Sequence, residues 1–383
     1  MPLNKLNLFN NLDISEKQFL QEYWHKKPLL LSKAIDVSKL NVFPDKGQLQ
    51  KLSCQESIQS RIVIKTSDSE YDVEYGPFEE NDYNEINQYC WNLLVSDIDK
   101  WLPKSRNILK YFQFIRNLVF DDIMLSCGSK GGTVGPHLDQ YDVFLLQVEG
   151  QREWSFNHNK TTNPQLMKGQ PLQLVSDFNA DIKHILNPGD VLYLPPSVAH
   201  YGIAIDDKCI TCSIGLRTPS HAELLTSFVD NLSQNISENN RFEEPEFNFH
   251  PSVGELTEND LTQISTVLVN NLKIEKNILL TWFGKYITEY RSLFHEFNDS
   301  QEVSDLINIE KLEPSSFTKS CYYKREKEAV LFVNGQQFFC SLNLAKLICD
   351  NKLITAASIN ILPADDKQVI ETLYEDGSLI SCH

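Results

Sequence analysis

Apolar positions in the first 217 residues occur in short runs that are bounded by glycine and proline. Two stretches ahead of the main strand region, Ser15–Trp24 and Tyr83–Leu102, are predicted to be helical. Many short strands without a regular alternation of strands and helices favour a barrel or a double-sheet jelly roll over a parallel doubly wound sheet. Six runs are predicted as β-strands, namely Arg61–Thr66, Val119–Cys127, Val143–Glu149, Glu153–Phe156, Asp190–Leu194 and Cys209–Leu216.

The pattern changes after residue 217, where apolar residues recur at helical spacing. Three such stretches follow one another, Leu224–Ile236, Leu261–Leu272 and Ile278–Phe294. Each carries a wide apolar face, which must be buried against the first domain or against a second copy of the chain.

The last part of the chain mixes strands and helices. Val330–Cys340 is predicted to be a hairpin that turns at Asn334-Gly335, and Leu342–Asp350 and Asp366–Asp376 are predicted helices. This mixture fits a winged-helix module, whose near-neutral or negative charge suits contact with protein more than DNA. The chain is thus predicted to be an α+β protein with three domains, at residues 1–217, 218–300 and 301–383.

Composition and charge narrow the class of partner. The 383-residue chain has 35 Lys and Arg against 52 Asp and Glu, a formal charge of −17. This charge disfavours broad binding to nucleic-acid phosphates and suits a basic protein partner. We expect a cytoplasmic protein, because no apolar run is long enough for a membrane span and the first residues do not resemble a signal peptide. Nine scattered cysteines are then expected to be reduced.

The strongest chemical signal is His137-Leu-Asp139, which lies between a glycine-rich loop and an apolar strand. Residues i and i+2 of a strand point to the same face, so these two side chains can bind one ion if the segment is extended. His221-Ala-Glu223 has the same spacing but lies where a helix begins, and there the two side chains diverge. We therefore give that second pair little weight.

A third ligand follows in the segment Asn187–His200, which is predicted to form a turn, a buried strand, a second turn and then a histidine. The segment resembles the second cupin motif, with Ser197 where glycine often stands. Two imidazoles and one carboxylate on a β-scaffold form the facial triad of non-haem Fe(II) oxygenases, which leaves positions for a 2-oxo acid and dioxygen. His137, Asp139 and His200 are the predicted catalytic metal ligands.

A 2-oxo acid with a second carboxylate also needs a cation, and Arg152 is the candidate. It shares one face of its strand with Trp154 and Phe156, and a face with such residues is usually buried. A guanidinium offers the two-pronged geometry that a carboxylate prefers, and a buried charge requires a partner.

Three hydroxyl residues are further candidates for the cofactor pocket. Thr211 and Ser213 share one face of their strand, and Ser126 precedes the glycine-rich loop. They either line the pocket or are ordinary strand residues.

At this point the chain resembles a known family, the bacterial ribosomal oxygenases, which are JmjC-type cupin dioxygenases. Three segments carry the resemblance: Gly135–Phe144, Leu192–Pro196 with His200, and Arg241–Phe247. The resemblance extends over essentially the whole chain. It implies a double-stranded β-helix (the cupin or JmjC jelly roll), then a helical dimerisation region and a C-terminal winged-helix-like domain.

The resemblance also implies an activity. Fe(II) would be bound by His137, Asp139 and His200, the cosubstrate 2-oxoglutarate would be anchored by Arg152, and O2 would be the oxidant. The family hydroxylates the β-carbon of an arginine in the L-sixteen protein of the large ribosomal subunit, a basic protein that suits the charge of −17. Tyr141, Asp142 and neighbouring acidic residues are candidates to hold the substrate guanidinium.

Two alternatives remain open on the sequence. The first is a JmjC-type hydroxylase of another protein or of RNA, which would use the same triad. The second is a non-catalytic cupin that acts as an adaptor through its winged helix. The intact triad and Arg152 count against the adaptor.

Overall fold

The computed structural model describes residues 6–10, 12–242, 254–272, 274–289, 310–350 and 353–381. Most of the Arg241–Phe247 motif and the end of the third helical stretch (Tyr290 and Phe294) lie outside these ranges. The chain divides into two compact units, Met1–Thr218 and Pro219–His383. The further division into a helical region and a winged-helix domain stays a prediction.

Two sheets form the centre of the first unit. The strands are β1 Leu29–Leu31, β2 Ser60–Lys65, β3 Tyr71–Tyr75, β4 Cys90–Val95, β5 Phe120–Gly128, β6 Asp142–Glu149, β7 Arg152–Phe156, β8 Ile182–Leu186, β9 Val191–Leu194, β10 His200–Ala204 and β11 Ile210–Leu216. The larger sheet has eight strands in the order β1-β9-β6-β11-β5-β4-β2-β3, and the smaller has the order β10-β7-β8. All the strand pairs of both sheets are antiparallel, and all six predicted strands are confirmed to within one residue at each end.

The helices of this unit cover the outer face of the larger sheet. Ser15 caps the first helix, which confirms the helix predicted at Ser15–Trp24. The ring of Phe19 from this helix packs 4.9 Å from the ring of Tyr193 on β9. The helices are α1 Glu16–Glu22, α2 Lys46–Ser53, α3 Asp82–Glu85 and α4 Ile98–Trp101, with 3-10 turns at Val37–Lys39, Ile86–Gln88, Pro103–Phe112 and Asn117–Val119.

A second core lies between the two sheets. It contains alternate residues of β6 and β9 from the larger sheet and of β7 and β8 from the smaller one. The two sheets therefore pack face to face as a jelly roll, and their inner faces enclose the site described below.

The helix predicted over Tyr83–Leu102 is wrong in its middle. Short helices α3 and α4 lie at its ends, but Cys90–Val95 between them is strand β4, which pairs with β2 and β5. Five of the six residues of β4 are buried, on both faces of the strand. Such a continuous apolar run cannot be distinguished from a buried helix by periodicity.

The second unit contains the predicted helices and hairpin. Asn334 and Gly335 have positive φ angles of 46° and 81°, as a tight hairpin turn requires. Its two sheets have the orders β16-β12-β17 and β13-β14-β15. The elements are α5 His221–Ser233, α6 Glu258–Asn271, α7 Lys276–Thr288, β12 Lys311–Pro314, β13 Ser320–Arg325, β14 Glu328–Val333, β15 Gln336–Ser341, α8 Leu342–Cys349, β16 Ile354–Thr355, α9 Ala356–Asn360, α10 Ala364–Glu375 and β17 Leu379–Ser381.

The structure also bears on the cysteines and on the length of the apolar helices. The eight cysteines in the described ranges are free thiols. None of the helices in those ranges is both long and apolar enough to cross a membrane.

Candidate metal centre and cosubstrate pocket

The structure brings His137, Asp139 and His200 together at one end of the barrel. His137 and His200 form an antiparallel bridge in which each backbone N–H donates to the carbonyl of the other, at 3.0 and 2.8 Å. His200 Nε2 lies 3.7 Å from Asp139 Oδ2, and one ligand atom from each residue lies within 4.8 Å of the others. Within the described residues this is the one group of three or more such side chains with metal-binding spacing.

Backbone carbonyls fix how the two histidines present their nitrogens. His137 Nδ1 lies 2.9 Å from the carbonyl oxygen of Gly135, and His200 Nδ1 lies 2.9 Å from that of Val198. A carbonyl can only accept, so each Nδ1 carries the proton and each Nε2 has a free lone pair. Burial, and then the neighbouring His137, lower the pKa of His200 to about 4, so this ligand is neutral near pH 7.

The turn before His200 also contacts the metal-binding segment. Ser197 has a φ of 66°, a left-handed conformation that glycine adopts more readily, which accounts for the glycine that often stands there in the cupin motif. Its backbone N–H donates to the carbonyl of Asp139 at 2.7 Å. The turn therefore fixes the backbone of the carboxylate ligand.

Arg152 is a buried cation that has no counter-charge among the described residues. It is 2% exposed, on the same inward face of β7 as Trp154 and Phe156. Its Nη2 donates to Asn92 Oδ1 at 2.9 Å, and its Nε has no acceptor among the described residues. No carboxylate of those residues forms an ion pair with it. Because a buried charge is costly without a partner, this guanidinium is suited to bind an anion that enters the barrel.

Asn92 is a pocket residue that the sequence did not reveal. It lies on β4, the strand that was predicted to be helical, and it is 1% exposed. The sequence feature that could have revealed it is a single amide inside the apolar run Trp91–Val95. A fully buried amide in such a run requires a hydrogen-bond partner, and here that partner is Arg152.

The hydroxyl candidates lie on the inner face of the larger sheet. Ser126 on β5 is directly opposite Thr211 on β11. Thr211 Oγ1 donates to Gln147 Oε1 at 3.0 Å, so its proton is already engaged. Ser126 is 6% exposed. Ser213 lies one step further along the same face, opposite Met124.

An acidic and aromatic group lies beyond Ser213 on this face. Burial, and then the charges of Asp139 and Asp122, raise the pKa of Tyr141. Desolvation, and then the charge of Asp97, raise the pKa of Asp122. A side chain at Gly215 would lie 3.8 Å from the Tyr141 ring and 3.6 Å from the Asp122 carbonyl oxygen. Gly215 thus leaves room between these residues.

Asp142 is not available to a substrate, and its candidacy is wrong. Adjacent residues of a strand point to opposite faces, so Asp142 lies on the other side of the sheet from Tyr141. Its carboxylate is bonded to His25 Nδ1 at 2.6 Å and accepts the hydroxyl proton of Tyr193. It joins α1 to the barrel and does not face the site.

The structure also shows why His221 and Glu223 do not act as a pair of metal ligands. His221 begins α5, where Ser220 and Glu223 form a reciprocal capping box. The carboxylate of Glu223 accepts the backbone N–H of Ser220 at 2.7 Å and is thus used in capping the helix.

Known proteins share this fold and this sequence pattern. The family model described as JmjC domain matches residues 107–224. "Ribosomal protein uL16 3-hydroxylase" of Escherichia coli is 32% identical over 283 residues, which cover 73% of each chain. "Probable ribosomal oxygenase" of Haemophilus influenzae is 34% identical over 222 residues, which cover 58% of this chain and 53% of that protein.

Solved structures agree with the jelly-roll prediction. The structure described as "X-Ray structure of E. coli ycfD" matches with a TM-score of 0.80 and 24% identity, over 96% of this chain and 98% of that one. A structure of the E. coli ribosomal oxygenase YcfD in complex with cobalt and 2-oxoglutarate matches with a TM-score of 0.75 at the same identity and coverage. The predicted fold is confirmed, and the chain belongs to the ribosomal oxygenase family of JmjC-domain proteins.

Proposed function

We propose that the protein is a 2-oxoglutarate- and Fe(II)-dependent dioxygenase that hydroxylates the β-carbon of an arginine in ribosomal protein uL16, the L-sixteen protein of the large subunit. One observation supports the chemistry: three side chains with metal-binding spacing and a buried guanidinium, which has no ion-pair partner among the described residues, lie in the same barrel. The similarity to the E. coli uL16 3-hydroxylase supports the choice of substrate.

The donor set fits Fe(II). Two neutral imidazoles and one carboxylate are the ligands of non-haem iron oxygenases, and His137, Asp139 and His200 offer them on adjacent segments. When bound, iron with 2-oxoglutarate and O2 supplies the oxidising power to place one oxygen atom in a C–H bond, with succinate and CO2 as by-products.

The protein binds and orients the cosubstrate. Arg152 forms charge-assisted hydrogen bonds to the carboxylate remote from the metal, and the Asn92 amide holds the guanidinium in place. Ser126 offers a hydroxyl on the neighbouring wall, and Thr211, whose proton is donated to Gln147, offers acceptor lone pairs. The apolar residues between the sheets keep bulk water away from the reacting groups.

The substrate arginine enters beside Tyr141 and Asp122. Asp122 Oδ1 accepts the backbone N–H of Asp97 at 2.7 Å, so its other oxygen is the one that pairs with the guanidinium, and the Tyr141 ring packs along the aliphatic part of the side chain. The raised pKa of Asp122 is lowered again when a cation binds next to it, because an opposite charge favours the ionised form. The net charge of −17 attracts a basic ribosomal protein.

The protein acts as a homodimer in the cytoplasm and does not bind DNA directly. Helix α6 has no buried residue within a single chain. Leu261, Ile264, Val267 and Leu268 on this helix are each at least 41% exposed. Such a surface is stable when a second copy covers it.

Intact-protein mass spectrometry tests the proposal. Purified enzyme is incubated with Fe(II), 2-oxoglutarate, O2 and unmodified large-subunit proteins, with the His137→Ala variant as control. We expect a mass gain of one oxygen atom on uL16 alone, absent with the variant. Succinate formation without a gain on uL16 would refute this substrate and favour another protein or RNA. Neither product from an iron-loaded enzyme would favour the adaptor.

A further inference from the structure

Trp154 carries a buried hydrogen-bond donor without an acceptor. The residue is 5% exposed, and its indole Nε1 makes no hydrogen bond within the described residues. Leaving a buried donor unsatisfied costs free energy, because the group has lost its hydrogen bond to water. This cost is recovered when a ligand supplies the acceptor.

The indole lies near both a metal ligand and the buried cation. Its ring centroid is 5.7 Å from that of His200 and 5.8 Å from the Cζ atom of Arg152. Gly202 lies opposite it on β10, where a Cβ atom would approach the indole to 2.7 Å. Because Gly202 has no side chain, it leaves the space that the indole ring occupies.

A second unsatisfied donor lies two residues away on the same strand face. Arg152 Nε also has no acceptor among the described residues. Two buried donors on one inward face indicate one shared acceptor, and a carboxylate has enough lone pairs for both.

Trp91 provides an internal comparison. Its indole Nε1 has no acceptor in the described ranges either. Its side chain, however, packs in the core on the outer face of the larger sheet, where Lys46 lies over the ring. Trp91 therefore shares the missing hydrogen bond with Trp154 but not its position in the barrel.

We propose that Trp154 is a positioning residue that donates its indole N–H to the same 2-oxoglutarate carboxylate that Arg152 binds. The inference rests on the proposed function, because it takes 2-oxoglutarate as the anion in the barrel. Trp154 then contributes to selection of a 2-oxo acid with two carboxylates over one with a single carboxylate.

Calorimetry on the Mn(II)-loaded protein without O2 measures the first consequence. Trp154→Phe keeps an aromatic ring and removes the donor, so we expect the Kd for 2-oxoglutarate to rise about 10-fold. The affinity for Mn(II) stays unchanged. In turnover assays the KM for 2-oxoglutarate rises while kcat at saturation is retained. Trp91→Phe is the matched control and leaves the Kd unchanged.

Nuclear magnetic resonance observes the donor itself in the wild-type protein. With tryptophan labelled by nitrogen-15 and diamagnetic Zn(II) in the site, one indole N–H signal is absent from the Trp154→Phe spectrum. We expect that signal to move downfield when 2-oxoglutarate is added. The variant serves only to assign the signal, and the shift itself is measured on the wild-type protein.

The outcomes separate the two claims. Equal Kd values for wild type and Trp154→Phe, or an indole signal that 2-oxoglutarate does not move, would overturn the role of Trp154 and leave the proposed function intact. A wild-type protein that binds Mn(II) but no 2-oxoglutarate would refute the proposed function and this inference with it.

Discussion

Replacing Arg152 by methionine separates the catalytic role of the buried charge from its cost in stability. The methionine side chain has a similar shape and no charge, so the barrel stays filled. In the metal-free protein the guanidinium has a hydrogen bond to Asn92 and no carboxylate partner among the described residues. Arg152→Met therefore removes an uncompensated buried charge and, at the same time, the anion-binding group.

The two effects have opposite signs. A buried charge without a counter-charge costs several kcal/mol, whereas leaving Asn92 Oδ1 unpaired costs about 1–3 kcal/mol. We expect the free energy of unfolding of the metal-free protein to rise by about 1–2 kcal/mol. Removing one partner of a buried charge pair costs about 3 kcal/mol, so 2-oxoglutarate binding weakens by about 100-fold or more.

Urea denaturation of the metal-free protein and calorimetry with Mn(II) and 2-oxoglutarate measure both quantities. Lys183→Met is a matched control, because Lys183 on the neighbouring strand β8 is exposed and lies 3.9 Å from Glu153. It should change neither quantity by more than about 0.5 kcal/mol. A loss of more than about 2 kcal/mol of stability in Arg152→Met would show that the guanidinium is a satisfied structural group and refute the reasoning.

Three further predictions follow from the same structure. Asn92→Leu removes the hydrogen bond that holds the Arg152 guanidinium in place. Steady-state kinetics should then show the KM for 2-oxoglutarate raised about 10-fold with kcat retained. An unchanged KM would contradict the role of Asn92 in holding the guanidinium. The pKa of His200 is lowered from its usual 6.5 to about 4, so the unfolded chain binds a proton at a higher pH than the folded protein does. As the pH falls from 6.5 to 4, the metal-free protein therefore loses up to about 3 kcal/mol of its free energy of unfolding. Urea titrations across this range check that loss, which His200→Ala should abolish. Leu268→Asp should convert the dimer into a monomer in sedimentation experiments. A wild-type protein that is monomeric at micromolar concentration would contradict the proposed homodimer.

Most of the metal site could be predicted because it depends on local geometry. His137 lies in an isolated bridge with His200, and Asp139 follows two residues later outside the strands, so the His-x-Asp spacing alone brings both side chains into one group. The turn signals before His200 specify where the third ligand falls. Ser197 adopts a left-handed conformation at the position where the motif often has glycine.

The rest of the pocket depends on which strands are neighbours. Asn92 was missed because a strand buried on both faces has no two-residue period. Tyr141 and Asp142 are consecutive, and only the sheet shows that the first lies toward the site and the second toward α1. The missing acceptor of Trp154 is likewise a property of packing, since it requires every neighbour of the indole to be known.

The most direct test of the account is to locate the oxygen atom on the product. The enzyme is supplied with Fe(II), 2-oxoglutarate, unmodified uL16 and dioxygen enriched in the heavy isotope, and peptides of uL16 are fragmented in the mass spectrometer. The account predicts one heavy oxygen on the β-carbon of a single arginine, with no label when Asp139→Ala replaces the wild type. Heavy oxygen on another residue type, or unlabelled uL16 while succinate forms, would contradict it.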